Sequence, residues 1–287
     1  MSALSRPPLK WAGGKFRLLE RILQALPERS GSETSRLVEP FVGSGAVFLN
    51  TGHRSCLLCD SNRDLINFFQ CLADGRQRFI KTCARNFTPA TNTADTFYAL
   101  RDTFNTLPFG ERRAALFLYL NRHAYNGLMR YNAKGHFNTP FGRYAAPYFP
   151  QAEMEAMLAR CESGDIVFAE RDFRGTFAGL LPGDVVYCDP PYVTLSDTAN
   201  FTAYTAGAFG PAEQLELAEC ARKASAGGVT VVISNHDTPF TREIYAGAAL
   251  TSFPVQRFIS CNGANRAKAQ ELLAVFHGSD SPGNAGE

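Results

Sequence analysis

The chain has 287 residues, with 29 Lys and Arg against 27 Asp and Glu, a net charge of +2, and 45% hydrophobic residues. That composition suits one large globular domain or one domain carrying an insertion, and it argues neither for nor against a polyanion partner. The longest apolar run, Ala114 to Leu120, falls well short of the ~18 residues a membrane-spanning helix needs. Met1 to Lys10 lacks the apolar core of a secretion signal, and eight irregularly spaced cysteines are expected to be reduced thiols, so a cytoplasmic protein with no membrane partner is expected.

In chain order, the apolar spacing Leu18, Leu19, Ile22, Leu23, Leu26 predicts a helix over 16–26, stopped by Pro27. A short strand is expected over 36–39, followed by Phe41-Val42-Gly43-Ser44-Gly45, a helix over 46–50, and a buried strand over 56–59 ending at Asp60. Strand, glycine loop, helix and strand in that order open a nucleotide-binding α/β unit. From Asp64 to about Leu158 helical periodicity takes over, with helices expected at 64–85, 94–106 and 111–124, then a polar, aromatic, turn-rich stretch over 125–150. Strands are expected at 165–169, 184–188, 229–234, 254–260 and 271–277, with a helix over 211–226 closed by Gly227-Gly228. The tail 278–287 is small and polar and reads as disordered.

Charge is unevenly distributed. Residues 61–150 hold 12 Lys and Arg against 5 Asp and Glu, a balance of +7, which leaves −5 for the remainder. No acidic residue falls between Arg112 and Ala152, whereas Arg112, Arg113, Arg122, Arg130, Lys134 and Arg143 all do. A one-sign window of this length suggests an anionic partner for the helical segment.

Asp189-Pro190-Pro191-Tyr192 directly follows the apolar strand Val185 to Cys188. In open α/β sheets ligands sit off the carboxyl ends of strands. Two prolines stiffen the loop and donate no hydrogen bonds, so their carbonyls are expected to stay free to accept. An acidic acceptor, a free carbonyl and an aromatic face on one rigid loop can hold a planar base bearing an exocyclic amine. Such an amine is a poor nucleophile because its lone pair is delocalised into the ring. The Asp189 carboxylate and the Pro190 carbonyl would draw its protons and favour a tetrahedral nitrogen, while Tyr192 stacks on the ring.

This tetrapeptide resembles the signature of amino-methyltransferases that use S-adenosylmethionine, and further segments narrow the match to Dam-type DNA adenine-N6 methyltransferases. Those segments are residues 9–15 (LKWAGGK), 39–50 (EPFVGSGAVFLN), 119–122 (YLNR), 125–132 (YNGLMRYN), 137–144 (FNTPFGRY), 198–204 (TANFTAY) and 233–238 (ISNHDT). The resemblance runs in motif order over about residues 9–277. It implies a Rossmann-like α/β methyltransferase fold, with a catalytic domain of residues 1–63 and 160–277 and a helical DNA target-recognition domain of residues 64–159. It also implies S-adenosylmethionine as cofactor, leaving as S-adenosylhomocysteine, and double-stranded DNA as partner, with no obligatory protein partner and no metal.

Carried over residue by residue, the resemblance assigns catalysis to Asp189, Pro190, Pro191 and Tyr192. Cofactor binding falls to Trp11, Lys15, Glu39, Phe41, Gly43, Gly45, Asp60, Asp172, Phe173 and Asp189. Asp60 lies 21 residues after Glu39, where a carboxylate accepts from ribose hydroxyls in related folds. Arg130 and Lys10 are expected to read guanines, Asn126, Leu128 and Pro140 to lie near the bases, and Asn132 to belong to the DNA-binding set. Tyr125 is expected to wedge into the duplex, and Arg122 and Arg143 to serve phosphate contact or loop support. The implied target is the palindrome GATC, its adenine flipped out before methylation.

Other chemistries fit less well. Cys56-x-x-Cys59 has no second ligand pair for zinc. Phe16 stands where a phosphate-binding loop ending Gly13-Gly14-Lys15 would need Ser or Thr. His236 and Asp237 lack a partnered nucleophile, and residues 235–238 read as a turn capping a following helix. A nicotinamide oxidoreductase would need glycine at position 48, which is Phe, and would leave the basic segment unexplained. A catalytically silent, methyltransferase-like DNA-binding protein is the remaining alternative; it would need neither the cofactor loop nor the Asp-Pro-Pro-Tyr corner.

Overall fold

The structure is a computed structural model that describes residues 4–27, 35–193, 209–255 and 269–278. In chain order its elements are α1 (Leu19–Ala25), β1 (Leu37–Glu39), α2 (Ala46–Asn50), β2 (Ser55–Asp60), α3 (Arg63–Ala84), α4 (Ala94–Thr106), α5 (Glu111–His123), α6 (Gln151–Glu162), β3 (Asp165–Glu170), α7 (Phe173–Phe177), β4 (Val185–Cys188), α8 (Pro211–Ala226), β5 (Thr230–His236), α9 (Pro239–Ile244), β6 (Ala249–Val255) and β7 (Ala269–Phe276). The chain divides into two compact units, Met1–Glu20 with Val42–Glu170, and Arg21–Phe41 with Arg171–Glu287.

In the first unit β2 and β3 pair in parallel, Ser55 opposite Asp165 through Asp60 opposite Glu170. The Asn62 side chain accepts from Leu65 N and starts α3, which breaks at Arg76 (φ 50°, ψ −139°), beside Gly75. α5 is buried continuously from Arg113 to His123, so it is a core helix and not an amphipathic surface one. Around it Phe68, Phe69, Phe79, Phe97, Phe104, Phe117 and Phe137 are all under 2% exposed. Each such ring contributes roughly 1.5–3 kcal/mol on burial, enough together to offset the cost of the ion pair buried beside them. That pair is Arg113 and Asp64, joined by Arg113 Nη2 at 3.0 Å; Tyr131 also donates to Asp64, at 2.9 Å, and Arg113 Nη1 caps the Phe104 and Leu107 carbonyls.

In the second unit the strand order is β1-β4-β5-β7-β6. β1, β4 and β5 are parallel neighbours and β7 runs antiparallel to both β5 and β6. β4 and β5 are buried along their whole lengths, as strands covered on both faces must be. With seven strands among the described residues, mostly parallel, and helices between them, the chain has the Rossmann-like α/β architecture of methyltransferases that its sequence predicts.

Three local expectations need correction. The helix over 16–26 is a tight 3₁₀ turn, Lys15–Leu18, followed by α1. The described part of the edge strand, Ala249–Val255, starts ahead of the expected 254; its residues are mostly exposed, so no two-residue apolar alternation marks that start, and an edge position tolerates Pro254. α6 is an additional helix whose buried face is only Met154, Met157 and Leu158. The motif at 198–204, residues 256–260 and the tail beyond Gly278 lie outside the described residues.

Candidate active site

In the second unit, β1 and β4 pair with Leu37 opposite Val185 and Val38 opposite Val186, so Glu39 and Asp189 leave the carboxyl ends of neighbouring strands. Asp189 is gripped from β5: the Ser234 hydroxyl stands 3.1 Å from Asp189 Oδ1. Tyr187 OH lies 3.0 Å from Ser234 Oγ. Burial, then the charge of Asp189, pushes the Tyr187 phenol well above its ordinary range, so it keeps its proton and can donate to Ser234. The Ser234 proton can then go to the carboxylate at 3.1 Å, with the Cys188 carbonyl at 3.3 Å as the alternative acceptor.

Tyr192 is fixed on three sides. Its hydroxyl donates to Glu271 Oε2 at 3.2 Å, and its ring meets the His236 imidazole edge-on, centroids 4.6 Å apart at 80°. Val193, the next residue, donates its N–H to Asn235 Oδ1 at 3.2 Å and offers its carbonyl to His236 Nδ1 at 2.6 Å. Burial and the nearby Asp189 charge raise the Tyr192 phenol, which stays neutral at physiological pH. One expectation fails here. The Pro191 carbonyl is not free, because Gln214 Nε2 donates to it at 2.7 Å, so the expectation of two free proline carbonyls narrows to Pro190.

Beside the corner, Phe41 stacks on Phe173 (5.8 Å, 27°) and Phe209 packs its edge against both rings. Phe173 is 2% exposed and belongs to the core. Asp172 caps α7 by accepting from Arg174 N at 2.9 Å and pairs with the Arg174 guanidinium, which also binds Glu216. Both residues, expected to bind the cofactor, therefore have local structural work as well.

In the first unit the glycine loop turns over β2. Val42 N donates to Cys59 O, and Gly43 N reaches Asp60 Oδ2 at 3.1 Å. Asn62 N takes Asp60 Oδ1 at 2.9 Å. Burial raises the Asp60 pKa, while the N–H groups of Asn62, Gly43 and Ser61 pull it the other way. Gly43 and Gly45 have φ of +49° and +74°, and a Cβ at Gly43 would stand 3.0 Å from the Trp11 indole. A side chain there is excluded on both counts. Lys15 is buried and its Nζ donates to Gly13 O at 2.6 Å.

The same unit brings most of the expected DNA-reading residues onto one segment after α5. Isolated bridges join Ala124 to Phe141 and Tyr131 to Phe137. Tyr125 (54% exposed), Leu128 (40%), Asn126, Arg130, Asn132, Pro140 and Arg143 are all exposed there. Arg130 Nε donates to Asn138 Oδ1 at 2.8 Å, and Asn132 Oδ1 accepts from Lys134 N and His136 N, so Asn132 shapes the turn. Lys10 joins this group from the N-terminal segment. Its backbone is clamped in both directions by the Asn121 side chain, and its ammonium sits 4.5 Å from the centre of the Tyr144 ring, whose hydroxyl accepts from Asn126 N. Burial, then the Arg122 charge, lowers the Lys10 pKa. The basic window shrinks in three dimensions: Arg113 is spent on Asp64, and Arg122 is 8% exposed with its guanidinium on the Pro8 carbonyl. Of the two roles expected for Arg122, loop support is the one its burial allows.

Residues 11–258 match the model of the D12 class N6 adenine-specific DNA methyltransferase family. The chain belongs to this family. It is 46% identical over 272 residues to the DNA adenine methylase of Salmonella typhi, which covers 95% of each chain. It is 46% identical to that of Serratia marcescens (95% of this chain, 98% of the other) and 45% identical to that of Escherichia coli K12 (95% of each). The protein is therefore an adenine-specific DNA methyltransferase acting on N6, as its sequence implies; its substrate is DNA, and its reaction requires a methyl donor.

For this methyltransferase, sequence reasoning missed several residues that touch the corner. Ser234, Asn235 and His236 fall in the 233–238 motif, which the sequence tied to the family without giving these three a role, reading 235–238 as a cap; Thr238 does cap α9 by accepting from Thr241 N, but Ser234 reaches Asp189, His236 the Tyr192 ring and Asn235 the N–H of Val193. Gln214 lies on the buried face of α8 with Leu217, Ala218 and Ala221, and a polar residue in an apolar stripe was the available signal. Tyr144 and Asn121 lie inside cited motifs but were given no role, because their partner, Lys10, is more than a hundred residues from either. Among the described residues no cluster of His, Cys, Asp or Glu could hold a metal ion, and no helix is long and apolar enough to cross a membrane.

Proposed function

We propose that the enzyme transfers the methyl group of S-adenosylmethionine to adenine N6 within GATC of double-stranded DNA, on an adenine flipped out of the helix. The observation that carries this reading is the braced Asp189-Pro190-Pro191-Tyr192 corner at the end of β4, with Ser234 on the carboxylate and Glu271 and His236 on the tyrosine. Asp189 and the Pro190 carbonyl accept the two amine protons and turn the nitrogen lone pair outward. Tyr192 stacks on the purine, a contact worth roughly 1–3 kcal/mol, and holds the ring still. The Ser234 hydroxyl donates to Asp189 Oδ1 and orients the carboxylate toward that task.

The residues present fit the cofactor. Asp60 is acceptor-only when ionised and suits ribose hydroxyls; the bare backbone at Gly43 and Gly45 suits close approach; Phe41 and Trp11 offer ring faces; Glu39 and Asp189 suit a cationic group. Lys15 supports the turn over Trp11, and Phe173, with Asp172 beside it, backs Phe41. When bound, S-adenosylmethionine supplies an electrophilic methyl group.

Residues 64–159 serve in this reading as the target-recognition domain, and residues 1–63 with 160–277 as the catalytic one. Arg130 and Lys10 read guanines; Asn126, Leu128, Asn132 and Pro140 lie near the bases; Tyr125 supplies the exposed aromatic wedge that fills the gap left by the adenine. Arg143 contacts phosphate. The test is digestion of DNA incubated with protein and S-adenosylmethionine, using restriction enzymes blocked by, or indifferent to, adenine methylation at GATC. Protection from the first alone is the expected result. Duplex binding without protection would support the silent DNA-binding alternative, and methylation at another sequence would overturn the assignment of GATC.

A further inference from the structure

Three buried polar side chains from three elements meet behind the catalytic corner. Gln214 (α8) is 2% exposed, and Asn235 (end of β5) and Tyr245 (after α9) are fully buried. Asn235 Nδ2 donates to both Gln214 Oε1 and Tyr245 OH, each at 3.0 Å. Tyr245 OH in turn faces Gln214 Oε1 at 3.4 Å. Asn235 Oδ1 accepts from Val193 N at 3.2 Å and His236 N at 2.9 Å, so all four of its hydrogen-bonding positions are used. The remaining donor of the network, Gln214 Nε2, ends on the Pro191 carbonyl at 2.7 Å.

The two outputs of this network bracket one residue. Pro191 O lies on one side of Tyr192 and Val193 N on the other. Neither proline can donate to anything, so a carbonyl is the handle the tetrapeptide offers on that side. A buried network with this many positions satisfied is rigid, so the loop geometry is tied to three side chains at once.

We infer that Gln214, Asn235 and Tyr245 are positioning residues for Tyr192, fixing the ring plane on which the target adenine stacks. The inference rests on the reading of Tyr192 as the stacking residue. It assigns these three to capture and alignment of the flipped base and not to sequence readout, which lies on the segment after α5.

Gln214→Met keeps the length of the side chain and removes its hydrogen bonds. By this account it lowers the single-turnover rate on duplex DNA about 10- to 100-fold, as a misplacement near 1 Å does elsewhere. The Kd for the duplex and the discrimination between cognate and altered sites stay within about twofold, since readout residues are untouched. Tyr245→Phe, which keeps the ring and loses one hydroxyl, gives a smaller loss in the same parameter and guards against a Gln214 variant that fails to fold. The deciding comparison is Gln214→Met in a Tyr192→Ala background, with a 2-aminopurine at the target position reporting base extrusion by fluorescence. If Gln214 acts through Tyr192, the double variant is no slower than Tyr192→Ala alone. Losses that multiply in full would overturn the positioning role and leave a plain stability effect. Wild-type turnover in Tyr192→Ala itself would instead overturn the stacking reading on which the inference rests.

Discussion

The hydroxyl of Ser234 on β5 lies 3.1 Å from the Asp189 carboxylate at the end of β4, with the Tyr187 phenol 3.0 Å behind it. Two parallel strands thus meet through a side-chain relay where the reacting nitrogen would sit. Phenol to hydroxyl to carboxylate is a chain in which each member polarises the next, and its far end is held neutral by burial.

Ser234→Ala removes the donor to Asp189 and leaves Tyr187 buried without its acceptor. Hydrogen bonds to charged groups are worth about 1.5–3 kcal/mol, so the rate of methyl transfer should fall roughly 10- to 100-fold. Rapid-quench single-turnover measurement, with DNA affinity followed by anisotropy, checks this; an unchanged rate would show that the carboxylate needs no brace.

Arg130 and Arg122 should separate cleanly. Arg130 is exposed beside Asn138, and Arg130→Ala should relax discrimination at one guanine by about 1–3 kcal/mol while binding to unrelated DNA holds. Equal loss on every sequence would make Arg130 a phosphate contact. Arg122 is buried against Pro8 and Tyr148, so Arg122→Ala should lower thermal stability and leave the salt dependence of DNA binding unchanged. A shallower salt slope in that variant would return Arg122 to the phosphate backbone.

Acid should weaken the first unit through His123. Burial, opposed by the Tyr119 carbonyl and reinforced by the Lys10 charge, lowers its pKa from 6.5 to about 4. The folded state then binds fewer protons than the unfolded state between those values, so stability is full above pH 6.5 and is lost as pH falls toward about 4. Thermal melts at pH 7 and pH 4.5 should differ less for His123→Asn than for the parent chain. An identical difference would mean that His123 does not titrate in this window.

Much of the fold was legible because its signals are local. α4 follows from helical periodicity and α2 from its place after the glycine loop, and the buried strands β2, β4 and β5 are short apolar runs. The break at Arg76 was not legible, since nothing in the flanking residues except Gly75 departs from helical periodicity. β6 escaped for the opposite reason: an edge strand with most of its side chains in solvent has no core-facing pattern to read. Charge counting overstated the basic face, because Arg113 and Arg122 are drawn inside by Asp64 and Pro8, partners far away in sequence. At the active site the tetrapeptide was visible as a motif, whereas its supports, Gln214 and Glu271, reach it only through tertiary structure.

The most direct test of the account is methyl transfer by Asp189→Ala on a duplex containing one GATC, measured beside binding of the same duplex. Loss of an acceptor aimed at the reacting group should cost at least about 100-fold in turnover. Binding should stay close to that of the parent chain, because the residues proposed to read DNA do not include Asp189. Turnover near the parent rate in this variant would contradict the central claim that the carboxylate activates the adenine nitrogen.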